Sequence, residues 1–483
     1  MHDTMAKYSA VQAGGGFYDK GNGIAHDGAG GALVTGFFSG NASFGSMSLT
    51  SRGSVDAFVM HVTSSGAIDW AVQAGGASYD KGNGIAHDGA GGALVTGFFS
   101  GNASFGSMSL TSRGSVDAFV MHVTSSGAID WAVQAGGAFD DEGTGIAHDG
   151  AGGALVTGFF SGKASFGSMS LTSHGSADAF VMHVTSSGAI DWAVQAGGAS
   201  YDKGNGIAHD GAGGALVTGF FSGNASFGSM SLTSRGSVDA FVMHVTSSGA
   251  IDWAVQAGGA SYDKGNGIAH DGAGGALVTG FFSDEASFGS MSLTSQGFVD
   301  AFVMHVTSSG AIDWAVQAGG ASYDKGNGIA HDGAGGALVT GFFSGKASFG
   351  SMSLTSHGSA DAFVMHVTSS GAIDWAVQAG GAFDDEGTGI AHDGAGGALV
   401  TGFFIGNASF GSKTLTTSQT AATTCFVALL MMPVVPGGCN GDSCDGPPPD
   451  LPPLPGGAPS PASPFHQPAA VVVPEQPAVA MHA

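Results

Sequence analysis

Proline is absent from the first 432 residues, and all 14 prolines of the 483-residue chain fall between Pro433 and Pro477. Whatever occupies residues 1–432 therefore turns without proline, and the composition changes near Met432. Basic residues are also scarce, 12 Lys and Arg against 37 Asp and Glu, for a net charge of −25. That balance argues against nucleic acid or an anionic membrane as partner, because both need Lys/Arg clusters to neutralise phosphate. Long apolar runs are missing. The longest, residues 425–435, is interrupted by Pro433 and falls short of the roughly 20 residues that span a bilayer, so no transmembrane segment is expected. The opening MHDTMAKYSAVQ has neither a basic nor an apolar region of a secretory signal, and none is visible. Cysteine occurs only at Cys425, Cys439 and Cys444, so the repeats cannot depend on disulfides. The CNGDSC stretch lacks the second cysteine pair or nearby histidine of a soft-metal site. Neither GxSxG, HExxH nor a Walker sequence occurs, and the GxG at Gly82 and Gly84 lacks the third glycine and following helix of a dinucleotide fingerprint.

What is present is one unit of 61 residues, cleanest over residues 70–130, whose leading tryptophan recurs at Trp70, Trp131, Trp192, Trp253, Trp314 and Trp375. A first copy begins one period earlier at Ser9, which makes seven registers. Glycine supplies 88 residues and charged side chains only 10%. Such a chain is rich in tight turns, and its apolar positions alternate as in strands. Within a unit, NGIAHD (83–88) leads through GAGG into ALVTGFF (93–99), a hairpin signal of the Asp-Gly kind. DAFVMHVT (117–124) then turns at Ser-Ser-Gly into AIDWAVQA (128–135). We label these strands A, B, C and D. A long connection joins B to C (100–116) and a shorter one joins D to the next A (75–81).

Four antiparallel strands per repeat are the content of one β-propeller blade. Seven separate sandwiches of 61 residues would each be too small to bury a good core, whereas blades cover both sheet faces with their neighbours. The ends of the array fit this reading. The first copy starts with an unpaired D strand (9–13), and the last supplies A, B and a degenerate C (425–431) but no D. Pairing them would close the ring and remove its open edges. The expected fold is all-β: a seven-bladed β-propeller of four-stranded antiparallel blades over residues 9–432. An N-terminal extension (1–8) precedes it, and a disordered, Pro-rich tail (433–483) that can populate polyproline II follows it.

The pattern GG-x3-D-x-G-x-GIA-x-D-x2-GG-x-LVTG, followed by SFG, G-x2-DAFV and SGAIDW, resembles the β-propeller repeat family of mostly bacterial and some algal surface or secreted proteins. The resemblance covers residues 9 to about 431 and implies the propeller fold and extracellular or cell-surface display. It brings no shared catalytic residues. A departure is His87 and its equivalents, where that family more often has an apolar residue.

One register of strand A carries seven histidines, His26, His87, His148, His209, His270, His331 and His392. Strand A lines the channel of a propeller, so these are candidate ligands for a divalent metal, set against histidines buried and bonded between blades. Six more, His61 to His366 in VMHV, read as core or inter-blade residues. Asp80, Asn83 and Asp88 do not fit the spacing of a calcium loop, and Asp88 reads as a turn residue. No cofactor is expected, with calcium or another divalent metal as the alternative. The NAS sequons at Asn41, Asn102, Asn224 and Asn407 follow from duplication of the repeat.

Substitutions among the seven copies collect in the D-to-A and B-to-C connections, which a propeller places on one face. The candidate ligand-binding residues are an aromatic-acidic pair in the D-to-A connection: Tyr18 and Asp19, Tyr79 and Asp80, Tyr201 and Asp202, Tyr262 and Asp263, Tyr323 and Asp324. Aromatic faces stack on sugars or cations, and the carboxylates would add attraction, so a glycan or a basic protein segment is the expected partner of a monomeric, non-catalytic binding or display module. The alternatives are a glycan hydrolase or lyase with its site at the channel mouth, or a recently expanded repeat with no selected ligand. Limited proteolysis should trim the chain to near residue 433 and leave a resistant body; rapid cutting throughout 9–431 would contradict the boundary.

Overall fold

Runs of seven residues rich in apolar, β-branched and aromatic side chains, such as ALVTGFF and DAFVMHV, bounded by glycine turns, are the length of strands and too short for helices. The computed structural model describes residues 7–15, 17–417 and 422–431, and every regular element among them is a β-strand. The Pro-rich tail, with Cys439 and Cys444, lies outside the described residues, as do residues 1–6. In the first blade, strands A to D are Lys20–His26, Ala32–Phe38, Asp56–Val62 and Ile68–Gly76. They pair antiparallel in that order, and the pattern repeats around a ring in which successive A strands lie side by side about the axis. No described element is a helix long and apolar enough to cross a membrane.

The ring closes as the chain ends require. Lys7–Ala13 pairs antiparallel with Thr423–Met431, Ala10 opposite Ala428 and Ala13 opposite Cys425. The seventh blade is therefore Glu386–His392, Ala398–Ile405, Thr423–Met431 and the N-terminal strand. Each of the seven hydrophobic clusters lies between two blades rather than inside one. Leu33, Val59 and Ala74 of the first blade, for instance, pack on Val95, Phe119 and Met121 of the second. The cluster between the last blade and the first joins Ala13, Leu399, Cys425 and Val427 to Val34, Phe58 and Met60.

The B-to-C connection holds more structure than the four-strand reading gave it. In the second repeat Asn102–Phe105 and Met108–Thr111 form a hairpin, and its first strand adds to strand D of the preceding blade, Phe105 opposite Ala74. The sheet becomes six-stranded. Phe105 points the other way, into its own blade, edge-on to Phe99 at 5.6 Å and tilted on Phe119 at 5.0 Å. Each hairpin is thus hydrogen-bonded to one blade and side-chain-packed into the next, a clasp that exists only if the blades are adjacent. Its sequence signal was NASF and MSLT either side of Gly-Ser, with Gly106 at φ +61°.

A second link runs around the axis. Strand A carries a bulge at the position of Asn22, where its register with B skips between Gly21 and Gly23. The extra residue turns to the neighbouring blade. Asn22 Nδ2 donates to the Gly82 carbonyl at 2.8 Å, Asn83 to Gly143 at 2.8 Å, Thr144 Oγ1 to Gly204 at 2.7 Å, and Asn205 to Gly265 at 2.8 Å. Asn266 and Asn327 donate to Gly326 and Gly387 at 2.8 and 2.9 Å, and Thr388 Oγ1 closes the circle on Gly21 at 2.6 Å. The fit beside the donor is close: a Cβ on Gly84 would stand 3.2 Å from the Thr144 carbonyl oxygen of the next blade.

Deleting residues 1–15 removes a whole strand and takes Ala13 and Val11 out of the closing cluster. The expected result is a Tm lower by on the order of 10 °C, with association through the opened edge. Unchanged Tm and a monodisperse monomer on size exclusion would contradict the closure.

Candidate functional site

Strand A enters the ring from the face that carries the D-to-A and B-to-C connections, so its first residue stands at the mouth of the axis. The residue there is Lys20, Lys81, Glu142, Lys203, Lys264, Lys325 and Glu386 in blade order. Five of the nine lysines of a chain with net charge −25 thus stand in one circle. Most are laid over a phenylalanine of the preceding blade's B strand. Lys20 Nζ lies 3.5 Å from the Phe403 ring centre, Lys264 3.6 Å from Phe220, Lys81 4.1 Å from Phe37 and Lys325 4.3 Å from Phe281. Burial holds Lys20, Lys203 and Lys325 below the usual lysine range, although Glu386 or Glu142 opposes it. Burial likewise raises Glu142 and Glu386. Glu142 Oε2 lies 3.8 Å from Lys203 Nζ.

The tyrosines of the D-to-A connection stand above this circle. Tyr18, Tyr79, Tyr201, Tyr262 and Tyr323 are exposed by 39–50%. Tyr79 stacks on Phe98 with ring centres 5.9 Å apart, Tyr201 on Phe220 at 5.8 Å and Tyr262 on Phe281 at 6.1 Å. Beside Tyr323, Phe298 lies in parallel at 4.9 Å and is itself 64% exposed. Burial and the nearby Glu142 push the Tyr201 phenol up to about 12, so it is a neutral donor. Between the tyrosines and the lysines lies an open cavity of about 620 Å³, lined by Tyr201, Tyr262, Lys203, Lys264, Lys325 and Glu386 among others.

The aspartates paired with these tyrosines in sequence are not on this surface. Asp19, Asp80, Asp202, Asp263 and Asp324 are each 1% exposed. Asp80 accepts from the Gly76 amide at 2.7 Å and the Ser100 amide at 3.0 Å, pinning the D-to-A connection to the end of strand B. Asp202, Asp263 and Asp324 do the same, and Asp19 accepts from Gly15 and Ser39. The acidic half of the aromatic-acidic pair is therefore a structural clamp, not a contact for a cationic ligand. A loop aspartate among glycines reads as exposed; amide donors four and twenty residues away are what draw it inside. A second buried carboxylate flanks it: Gly75, at φ +149°, has room only for hydrogen between Asp56 and Asp80. Burial, strengthened by the neighbouring carboxylate, pushes Asp80, Asp202, Asp263 and Asp324 up to about 6 and Asp141 and Asp385 to about 7.

The histidines lie at the opposite end of the blades, in the A-to-B and C-to-D turns. His26 places its ring nitrogens 3.2 Å from the Gly28 and Gly30 amides, and a neutral ring accepts at one of them. His87, His148, His209, His270 and His331 repeat the contact, while His392 keeps the bond from Gly394. They are a quarter exposed and bonded within their own turns, in place of the burial between blades that strand alternation suggested; the neighbouring blade meets them only through van der Waals contact, as Gly28 meets His87. Among the described residues no three His, Cys, Asp or Glu side chains are grouped to hold a metal. The VMHV histidines are half-buried bridges: His61 Nε2 meets Asp27 at 2.9 Å and Nδ1 meets Asp69 at 2.7 Å. Burial opposes the charge on His61, but its two carboxylates outweigh it and hold the ring above its usual range. Asp27 is correspondingly held low, burial being outweighed by His61 and two turn amides.

The geometry so far defines a closed seven-bladed propeller with an aromatic and basic axial mouth. The beta-propeller repeat (SBBP) model matches residues 69–97, 191–219, 252–280 and 313–341, at four of the seven registers. A search of curated proteins finds no match. Among solved structures, a puromycin hydrolase is similar at 11% identity and a TM-score of 0.39, over 83% of this chain. The chain spans 55% of the length of that structure.

Three groups of shifted residues set the pH response together. The Asp80-type carboxylates have folded pKa values above the unfolded one, so their stabilisation is complete at low pH and lost as pH rises through about 6–7. The raised His61, His183 and His244 are also lost on the alkaline side. The depressed Asp27 type is lost only as pH falls below the ordinary carboxylate range. Tm should therefore be higher at pH 5 than at pH 8; a rise from pH 5 to pH 8 in calorimetry would refute the assignment.

Proposed function

We propose that this propeller is a non-catalytic binding module that takes a glycan on the face carrying the D-to-A and B-to-C connections. The observation that carries the reading is the set of solvent-open tyrosines, with Tyr79, Tyr201 and Tyr262 stacked on phenylalanines and Tyr201 and Tyr262 lining one cavity. Rigid aromatic faces over a polar floor suit the C–H faces and hydroxyls of a sugar, and repetition around the ring lets weak contacts add. The burial of the Asp80-type carboxylates on backbone amides speaks against their use as the acid and base of a glycosidase, despite their raised pKa values. It also removes the reason to prefer a cationic protein segment. Extracellular display is consistent with such a role and rests on the family resemblance alone.

Replacing Tyr79, Tyr201, Tyr262 and Tyr323 together by Ala should weaken binding of any saccharide found on a glycan array at least about tenfold, because each lost stacking contact costs on the order of 1 kcal/mol. The Tm should stay within a few degrees. Retained binding in the tyrosine variant, with loss on altering the TSSG turns, would move the functional face to the other end of the blades.

A further inference from the structure

The seven entries to the axis are not equivalent, and their differences are correlated. Five blades read SYDKGNG or, at the first, FYDKGNG, whereas the third and seventh read FDDEGTG. In those two, Asp140 and Asp384 replace the tyrosine, Glu142 and Glu386 replace the lysine, and Thr144 and Thr388 replace the asparagine. The axial hydrogen bond survives the change because threonine still donates, at 2.7 and 2.6 Å. The ring is structurally indifferent to the swap, while its mouth changes charge.

The two acidic blades cut the circle into a sector of two tyrosine–lysine blades, with Lys20 and Lys81, and a sector of three, with Lys203, Lys264 and Lys325. Each glutamate lies between two lysines and acts on both: Glu386 on Lys20 and Lys325, Glu142 on Lys203 and Lys81. Lys264 is different, since both of its neighbours in the circle are lysines. It is held over Phe220 at 3.6 Å and Tyr262 at 4.8 Å. It also lines two adjoining cavities, of about 620 and 530 Å³, both in the three-lysine sector. Those volumes fall within the roughly 300–1,000 Å³ of small-molecule sites.

We propose that the sector of Lys203, Lys264 and Lys325 selects an acidic sugar, one whose carboxylate pairs with Lys264 while its ring lies on Tyr201 or Tyr262. The assignment deepens the glycan reading and rests on it. An ammonium held over aromatic faces without a carboxylate beside it gains most from an incoming anion, since no ion pair has to be broken for it to make a charge-assisted bond. The negative field of the rest of the chain disfavours a long polyanion, so the charge recognised is local: one acidic residue of a chain, not a nucleic acid.

The test uses the full chain, an oligosaccharide with a single galacturonic acid residue and the same oligosaccharide with that carboxyl methyl-esterified, which replaces the charge by a methyl group, measured by calorimetry at two salt concentrations. The free acid should bind at least about tenfold more tightly than the ester, with the advantage shrinking as salt rises. Lys264→Gln should remove that preference, and Lys163→Gln, on an exposed hairpin outside the lysine circle, should leave both affinities within about twofold. Matching Tm values for both variants establish that the ring is intact. Equal binding of acid and ester, or equal effects of the two substitutions, overturns the acidic-sugar assignment and leaves the glycan reading standing. Failure of both saccharides to bind, together with a blank glycan array, overturns the two together.

Discussion

Seven side-chain hydrogen bonds running head to tail around the axis are the interaction on which the arrangement of blades depends. Each leaves a bulge residue of one A strand and ends on a glycine carbonyl of the next, and the last returns to Gly21. At about 1 kcal/mol apiece they are a small part of the total stability, which the seven inter-blade clusters dominate. What they fix is geometry. A hydrophobic interface tolerates sliding, but a donor seated against the carbonyl of a glycine with no room for a Cβ, as Gly82 is against Thr35, does not. The mouth of the axis therefore inherits a defined spacing from blade to blade, and the side chains one turn of the strand above are set at regular positions.

The outer edge is held by a different device with the same logic. The hairpin at Asn102–Phe105 borrows backbone donors from the D strand behind it and puts Phe105 into the core ahead. The packing of Trp70 against the turn of the next blade is similar, its indole donating to the Ser125 carbonyl at 3.1 Å while Gly127 leaves room for the ring. These contacts weaken at one seam. Ser9 stands where the other copies have tryptophan, and Gly66 of the first blade faces its hydroxyl. In the last C strand Leu429 takes the place of the bridging histidine, opposite Leu399. The interface that closes the ring thus relies more on its apolar cluster and on strand pairing than the other six do.

The architecture was legible in the sequence because repetition multiplies each local signal: four strands, two glycine turns and an unmatched strand at either end admit one closed solution. The clasp hairpin was not read, since NASF and MSLT are short and individually weak, though their alternation around Gly-Ser repeats in register. The tyrosines stand out in the sequence by their place in the variable connection, and two of them, Tyr201 and Tyr262, line one cavity. The aspartates beside them were misplaced, because the amides that bury Asp80 come from Gly76 and Ser100, and nothing in the spacing of a glycine-rich loop announces that convergence.

The lysines were missed for a reason of scale. A net charge of −25 describes the whole chain, but a field at a binding site depends on which charges share a small volume, and a repeat can concentrate a rare residue at one point by placing it at one register. Near identity of the blades therefore does not imply seven equal sites. When two blades exchange Tyr, Lys and Asn for Asp, Glu and Thr in concert, the hydrogen-bonded ring beneath is preserved and the surface above is divided. A scaffold whose closure depends on a donor that either Asn or Thr can supply is free to vary charge at its mouth blade by blade, so a nearly symmetric fold can carry an asymmetric site without any loss in the contacts that close it.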